Sequence, residues 1–152
     1  MTFELGVLGG TLDHWARYGH AYREAWAQAG HPAAQADLAI SMHGFVAEDG
    51  DEARSTYLEY EYRMMAEGMA ELGRPAPSRA DRAANYGPEG TVFVGSPDEI
   101  AERILHLHQL FGHTRHILQM DVGGMPQRDF LRGIELLGTK VLPQIRAELG
   151  KT

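Results

Sequence analysis

One stretch, Phe93 to Gly124, constrains the fold more than any other part of the chain. Phe93-Val94-Gly95-Ser96-Pro97-Asp98-Glu99 reads as a helix start, because Ser96 can cap, Pro97 suits the first helical position and Glu99 completes a Ser-x-x-Glu capping box. Ile100, Ile104, Leu107 and Phe111 then recur at helical steps, and Gly112 marks the stop. His116 to Val122 follows as a strand, closed by Gly123-Gly124. Helix, strand and glycine turn in this order make one repeat of an α/β fold. Such folds place their chemistry just past the carboxyl ends of the strands, here Gln119 to Gly124.

The same unit recurs upstream. Phe3 to Leu8 is a short apolar strand closed by Gly9-Gly10, with Thr11 as the cap of a helix in which Trp15, Tyr18, Tyr22, Trp26 and Ala29 form the expected buried stripe. Gly30-His31-Pro32 stops that helix. Leu38 to His43 alternates as a second strand, and Gly44-Phe45-Val46-Ala47 carries it outward to Asp49-Gly50-Asp51. A long helix to about Leu72 has Ala53, Tyr57, Tyr60 and Met64 on one side and Leu58, Met65, Met69 and Leu72 on another. The segment 74–90 holds Pro75, Pro77, Gly87, Pro88 and Gly90, with at most a short helix around Arg79 to Asn85. It reads as an irregular, functional excursion. Thr91 to Val94 resumes as a strand, and Phe130, Ile134, Leu137, Val141 and Ile145 mark a last helix that Pro143 should bend.

Strand parity separates two α/β architectures. Leu38, Ile40 and Met42 share the apolar face of the second strand, so Ala39, Ser41, His43, Gln119 and Asp121 should look away from the helices. A doubly wound sheet would read apolar on both faces. A barrel wall, whose inner upper layers line a ligand site, allows this polar inner set.

At 152 residues one domain, 1–152, is expected, large enough to bury a core. The net charge of −7, without a Lys/Arg cluster, argues against nucleic acid or an anionic membrane as the main partner and favours small molecules. No run approaches a membrane span, no leader pattern opens the chain, and cytoplasm is the default address. With no cysteine, thiolate metal sites and thiol nucleophiles are excluded. His106, His108, His113 and His116 are clustered, but the first two are only two apart on a helix and no tetrahedral spacing fits, so no metal site is expected. Asp49 to Glu52 falls short of a calcium loop and reads as acids gathered at a helix start.

Several motifs, taken in order, resemble the bacterial luciferase-like flavin-dependent monooxygenases: Gly44-Phe45-Val46-Ala47 with Asp51-Glu52-Ala53-Arg54, then Phe93 to Glu102, then Leu118 to Gly124, then Ile134-Glu135-Leu136-Leu137-Gly138-Thr139. The resemblance implies an α/β fold that is a partial TIM-type (β/α) barrel, about its last three to four βα units, with parallel strands and helices on the outer face. It further implies reduced FMN or a related deazaflavin at the strand ends, O2 activation at that flavin, and a small-molecule substrate. Because a complete barrel takes about 250 residues, a second copy or a separate amino-terminal half is the expected partner. The flavin-facing positions would be Gly9, Gly10, Ser41, Gln119, Asp121, Gly123 and Gly124, with His43 as the catalytic candidate. Each has a plainer reading: a tight turn for Gly9-Gly10, a structural histidine for His43, a structural hydrogen bond for Gln119 and Asp121, and core plus subunit contact for the Tyr/Met stripes. The competing function is a non-catalytic α/β module that acts by oligomerising or by binding a partner.

Overall fold

The computed structural model describes residues 2–150. Strands and helices alternate: β1 (Phe3–Val7), α1 (Leu12–Gln28), β2 (Leu38–Val46), α2 (Gly50–Glu71), α3 (Arg79–Ala84), β3 (Phe93–Gly95), α4 (Pro97–Phe111), β4 (Arg115–Gln119), α5 (Gln127–Leu136) and α6 (Leu142–Leu149). The four strands form one open, parallel sheet around β2, as a partial barrel requires. β1 pairs along one run of β2, from Phe3 opposite Leu38 to Val7 opposite Met42. β4 pairs from Arg115 opposite Ala39 to Gln119 opposite His43, whereas β3 takes only Gly44 to Val46. In a closed barrel β3 would separate β2 from β4. Here β3 is three residues long and engages only the carboxyl end of β2, which leaves Ala39 to His43 to pair with β4.

Register explains the two faces. Leu5 and Val7 of β1 and Leu38, Ile40 and Met42 of β2 lie in one core with Ile100, Ile104, Leu107 and Phe111 of α4, all buried. The expected stripe of α4 is therefore the observed one. Its capping box forms in full, with the Ser96 N–H donating to Glu99 at 2.7 Å, and Gly112 closes the helix at φ +56°, a left-handed turn that glycine adopts without strain. A second cluster, built on Phe45, Tyr57, Tyr86, Val92, Val94, Met120 and Val122, gathers at the carboxyl ends of the strands. Leu118 and Leu137 touch both clusters.

Two helical faces differ from expectation. In α1 the buried residues are Leu12 and Gly19, while Trp15, Tyr22 and Trp26 are half-buried and Tyr18 and Ala29 are exposed. The helix approaches the sheet closely through Gly19, where an added Cβ would lie 3.3 Å from Leu38, so the bulky aromatics flank the contact instead of filling it. At the carboxyl end, Ile134 is 46 % exposed and Leu136 is fully buried. A π turn at Leu137–Val141 joins α5 to α6 and shifts the register, so the buried face runs through Gly133, Leu136 and Val141. The irregularity in this last helix therefore lies in that turn, which ends two residues before Pro143.

Between α4 and β4, His113 is buried and His116 is half-buried with both its ring nitrogens shielded from solvent. Burial, reinforced by neighbouring imidazoles, lowers His113 to about 4 and His116 to about 3. Both are neutral in the fold at pH 7, and in the unfolded chain they titrate near 6.5. Below that value the unfolded state binds protons that the folded state refuses, so stability is full above pH 6.5 and falls as the pH drops. Lowering the pH from 7 to 4.5 is expected to cost on the order of 3–5 kcal/mol for the pair. Urea titrations across that range should show the slope, and His116→Leu should remove about half of it.

Candidate functional site

The face of the sheet opposite α4 carries Glu4 and Gly6 from β1, Ala39, Ser41 and His43 from β2, and Arg115, Ile117 and Gln119 from β4, by register. Parity therefore places Ser41, His43 and Gln119 on one face, away from the core of α4. The Gln119 side-chain amide donates to Ser41 Oγ at 2.8 Å, and Gln119 is exposed whereas Ser41 is buried. Asp121 lies beyond the end of β4 in the turn, where its carboxylate accepts the Gly123 N–H at 2.9 Å. Gly123 and Gly124 hold φ +81° and +75°, a left-handed pair that exposes backbone at the rim and that residues with a Cβ would strain. Gly9 and Gly10 form the bend after β1, pinned by a bond from the Trp15 indole to the Gly9 carbonyl.

His43 is half-buried and stands opposite Gln119. Among the described residues its Nδ1 has no hydrogen-bond partner. Burial lowers its pKa below 6.5; Glu61 pulls upward, Arg82 pushes further down, and the Gln119 backbone pulls upward. At neutral pH the ring is uncharged, and its Nδ1 is shielded from solvent as well as unpartnered.

Glu61 and Arg82 are absent from the site residues expected from sequence. The Glu61 carboxylate is 1 % exposed. It accepts Arg82 through two nitrogens, with Nε at 3.3 Å, and the Tyr86 hydroxyl at 3.1 Å. Tyr57 stacks on Phe45 beside this group, and its hydroxyl is buried without a partner among the described residues. Burial and the nearby Glu61 push both phenols up, so both stay protonated, and Tyr86 donates to the carboxylate as a neutral group. A signal was available: Ala53, Tyr57 and Glu61 fall at four-residue steps, which puts a carboxylate on the buried stripe of α2.

The excursion 74–90 contains the short helix α3, close to the expected Arg79 to Asn85, and is fastened from both sides. Arg79 pairs with Glu59 and lies over the Tyr62 ring, and Arg82 and Tyr86 grip Glu61. From α4, Arg103 donates to the carbonyls of Tyr86, Gly90 and Val92 while stacking on Phe93, and burial lowers it to about 10. The rest of α2 resolves the Tyr/Met stripes: Tyr57 is core, and Tyr60, Leu58 and Met64 pack at its edge. Asp49 accepts the N–H groups of Asp51 and Glu52 as an ordinary cap. Among the described residues no group of three or more His, Asp or Glu is placed to hold a metal ion.

Residues 5–114 match the family model described as luciferase-like monooxygenase. No curated protein matches the chain. Solved structures do. Monooxygenase RslO1 from Streptomyces bottropensis is 26 % identical with a TM-score of 0.65, over 92 % of this chain and 40 % of that one. The oxygenating constituent of 3,6-diketocamphane monooxygenase from Pseudomonas putida, solved in complex with FMN, is 22 % identical with a TM-score of 0.64, over 92 % and 42 %. The coenzyme F420 dependent tetrahydromethanopterin reductase from Methanopyrus kandleri is 18 % identical with a TM-score of 0.59, over 92 % and 45 %. The chain thus spans less than half the length of each of these structures.

Proposed function

The chain belongs to the luciferase-like monooxygenase family, and from that premise we propose that it serves a flavin-dependent monooxygenase as the carboxyl-terminal wall of the barrel, one domain whose missing strands come from a second copy or a separate amino-terminal half. The observation that carries the proposal is the polar sheet face on which His43 and Gln119 stand opposite each other at the carboxyl end of β2.

The residues fit a flavin. His43 offers a buried nitrogen without a partner, Gln119 an exposed side-chain amide, and Gly123-Gly124 a rim of backbone that no Cβ obstructs. Bound in reduced form, FMN or a deazaflavin would supply the electrons for activating O2. Gln119, oriented by Ser41, would hydrogen-bond an edge of the ring system. His43, neutral at working pH, would position the substrate beside its ring. Gly9-Gly10 and Gly123-Gly124 would let backbone N–H groups approach the ligand, and Asp121 would keep the second turn in shape. The excursion, fastened over the strand ends, would exclude water. Cytoplasm remains the proposed compartment; no helix among the described residues is long and apolar enough to cross a membrane.

Titrating the purified chain with FMN tests this: saturable quenching of flavin fluorescence and a raised melting temperature are expected. Gln119→Ala should weaken binding roughly five- to tenfold, the loss of one hydrogen bond. Flavin that neither quenches nor shifts the melting point counts against the proposal. The second reading, a non-catalytic interaction module, draws on Leu131 and Ile134, 53 % and 46 % exposed one turn apart on α5. Flavin binding separates the two, because an oligomer that leaves FMN fluorescence unchanged fits the interaction module and not the flavin-binding wall.

A further inference from the structure

The sheet ends in two open edges. β1 and β4 pair with the same run of β2, so they lie on its opposite sides, and neither has a second strand neighbour among the described residues. Apart from those ladders, no backbone group of residues 4–7 or 115–119 is hydrogen-bonded among the described residues. Such edges are templates for a further strand, whose main chain would satisfy the unpaired groups.

The two edges carry opposite charges at one level. Glu4 and Arg115 both stand opposite Ala39, on the face of the sheet turned away from α4. Both are exposed, and among the described residues neither takes part in an ion pair or a side-chain hydrogen bond. Within one chain they are two strand spacings apart, about 10 Å. Apolar surface accompanies each edge. Leu8, just past β1, and Tyr18 of α1 are exposed on one flank; Leu142 and Leu149 of α6, which shares a cavity wall with β4, are exposed on the other.

We propose that two copies of this chain join edge to edge about a two-fold axis, β4 of each pairing in parallel with β1 of the other, so that Arg115 meets Glu4 at both junctions. The proposal rests on the reading of the chain as a barrel wall and decides between the two partners that reading allows. A separate half would need to match each edge, but it would give the two edges no reason to match each other. In a two-fold dimer they must, because each contact occurs twice with the roles exchanged. Neighbouring strands lie about 4.8 Å apart, so the pairing halves the distance between the two charges. Joining β1 to β1, or β4 to β4, would instead bring like charges to one junction. The polar face of each copy then turns towards that of the other.

Light scattering of the whole chain over a dilution series reads the association, and a dimer is expected. Glu4→Arg and Arg115→Glu each place like charges at both junctions and should raise the dissociation constant roughly tenfold or more. Mixing the two variants should restore dimers, since both junctions of the mixed pair regain opposite charges; damage within one chain is not repaired by mixing. A second measurement is independent of these variants. The chain has no cysteine, so Glu4→Cys combined with Arg115→Cys offers one pair of thiols per chain. Their separation within a chain exceeds the reach of a disulfide, about 7 Å between Cα atoms, whereas neighbouring strands fall inside it, and oxidation should give a covalent dimer. A monomer at every concentration, dimers that neither charge reversal weakens, variants that stay apart when mixed, or an oxidised double-cysteine chain that remains monomeric would each overturn the proposal. FMN quenching on the same samples keeps the two readings apart. A monomer that quenches FMN overturns the pairing and leaves the flavin reading standing, whereas a dimer weakened by both reversals that leaves FMN bright upholds the pairing and counts against the flavin.

Discussion

Gly44→Ala is expected to destabilise the protein by about 3 kcal/mol or more, the upper end of what overpacking a core costs. Gly44 lies buried where β2 passes from pairing with β4 to pairing with β3. A Cβ there would sit 2.3 Å from the Phe93 carbonyl oxygen and 2.4 Å from Leu118 Cδ1. The leucine could turn aside, but the carbonyl is strand backbone, so the added methyl must push β3 away from β2. That would remove the start of the layer that ends in α4. Gly68→Ala is the control, since it lies on α2 with open space at its Cβ and should be neutral or stabilising by up to about 1 kcal/mol. Urea unfolding of both variants decides the matter, and a Gly44→Ala loss under about 1 kcal/mol would mean that β3 is not held against β2 as described.

The second large effect concerns Arg82. Removing it with Arg82→Ala leaves the Glu61 carboxylate 1 % exposed with only the Tyr86 hydroxyl to satisfy it. Breaking a buried pair from one side costs about 3–5 kcal/mol, because the remaining charge must be desolvated alone. The Arg82 side chain is itself 17 % exposed, so water can reach part of the gap and the lower end of that range is expected. The cost should appear first in the excursion, as faster proteolysis between Pro75 and Gly90. Replacing both partners together, Glu61→Leu with Arg82→Leu, should recover most of the lost stability, as apolar replacement of a buried pair commonly does. A double variant as unstable as Arg82→Ala would show that the pair is needed for something other than its own charge balance.

These two positions also mark how far the amino-acid order can be read. The capping box at Ser96 and Glu99, the stripe of α4 and the glycine stop at Gly112 are local signals with one physical solution each, and all three appear as expected. Parity along Leu38 to His43 and His116 to Gln119 was enough to separate a helix-covered face from a polar one, because a period of two allows no other assignment once one face is buried. The motifs from Gly44 to Glu102 fall within the family match over residues 5–114, whereas Leu118 to Gly124 and Ile134 to Thr139 lie beyond it. Burial along α1 and α5 was less legible, since it depends on what the helix meets: Gly19 buries where aromatics were expected, and one π turn rotates Ile134 outward. The pairing of β4 with β2 is a long-range choice that no local pattern records. Glu61 was hidden because charged residues are normally solvated, and only its partner Arg82, twenty-one residues away in an irregular segment, makes its burial tolerable.

The proposed flavin site is the polar face of the sheet at the carboxyl ends of β2 and β4. Chemical-shift mapping of the labelled chain with FMN tests it most directly. The expected perturbations are at the Gln119 side-chain amide, the His43 ring and the Gly123 and Gly124 N–H groups, with the helix-side histidines 113 and 116 unmoved. Perturbations confined to the α4 side, or none at saturating FMN, would contradict it.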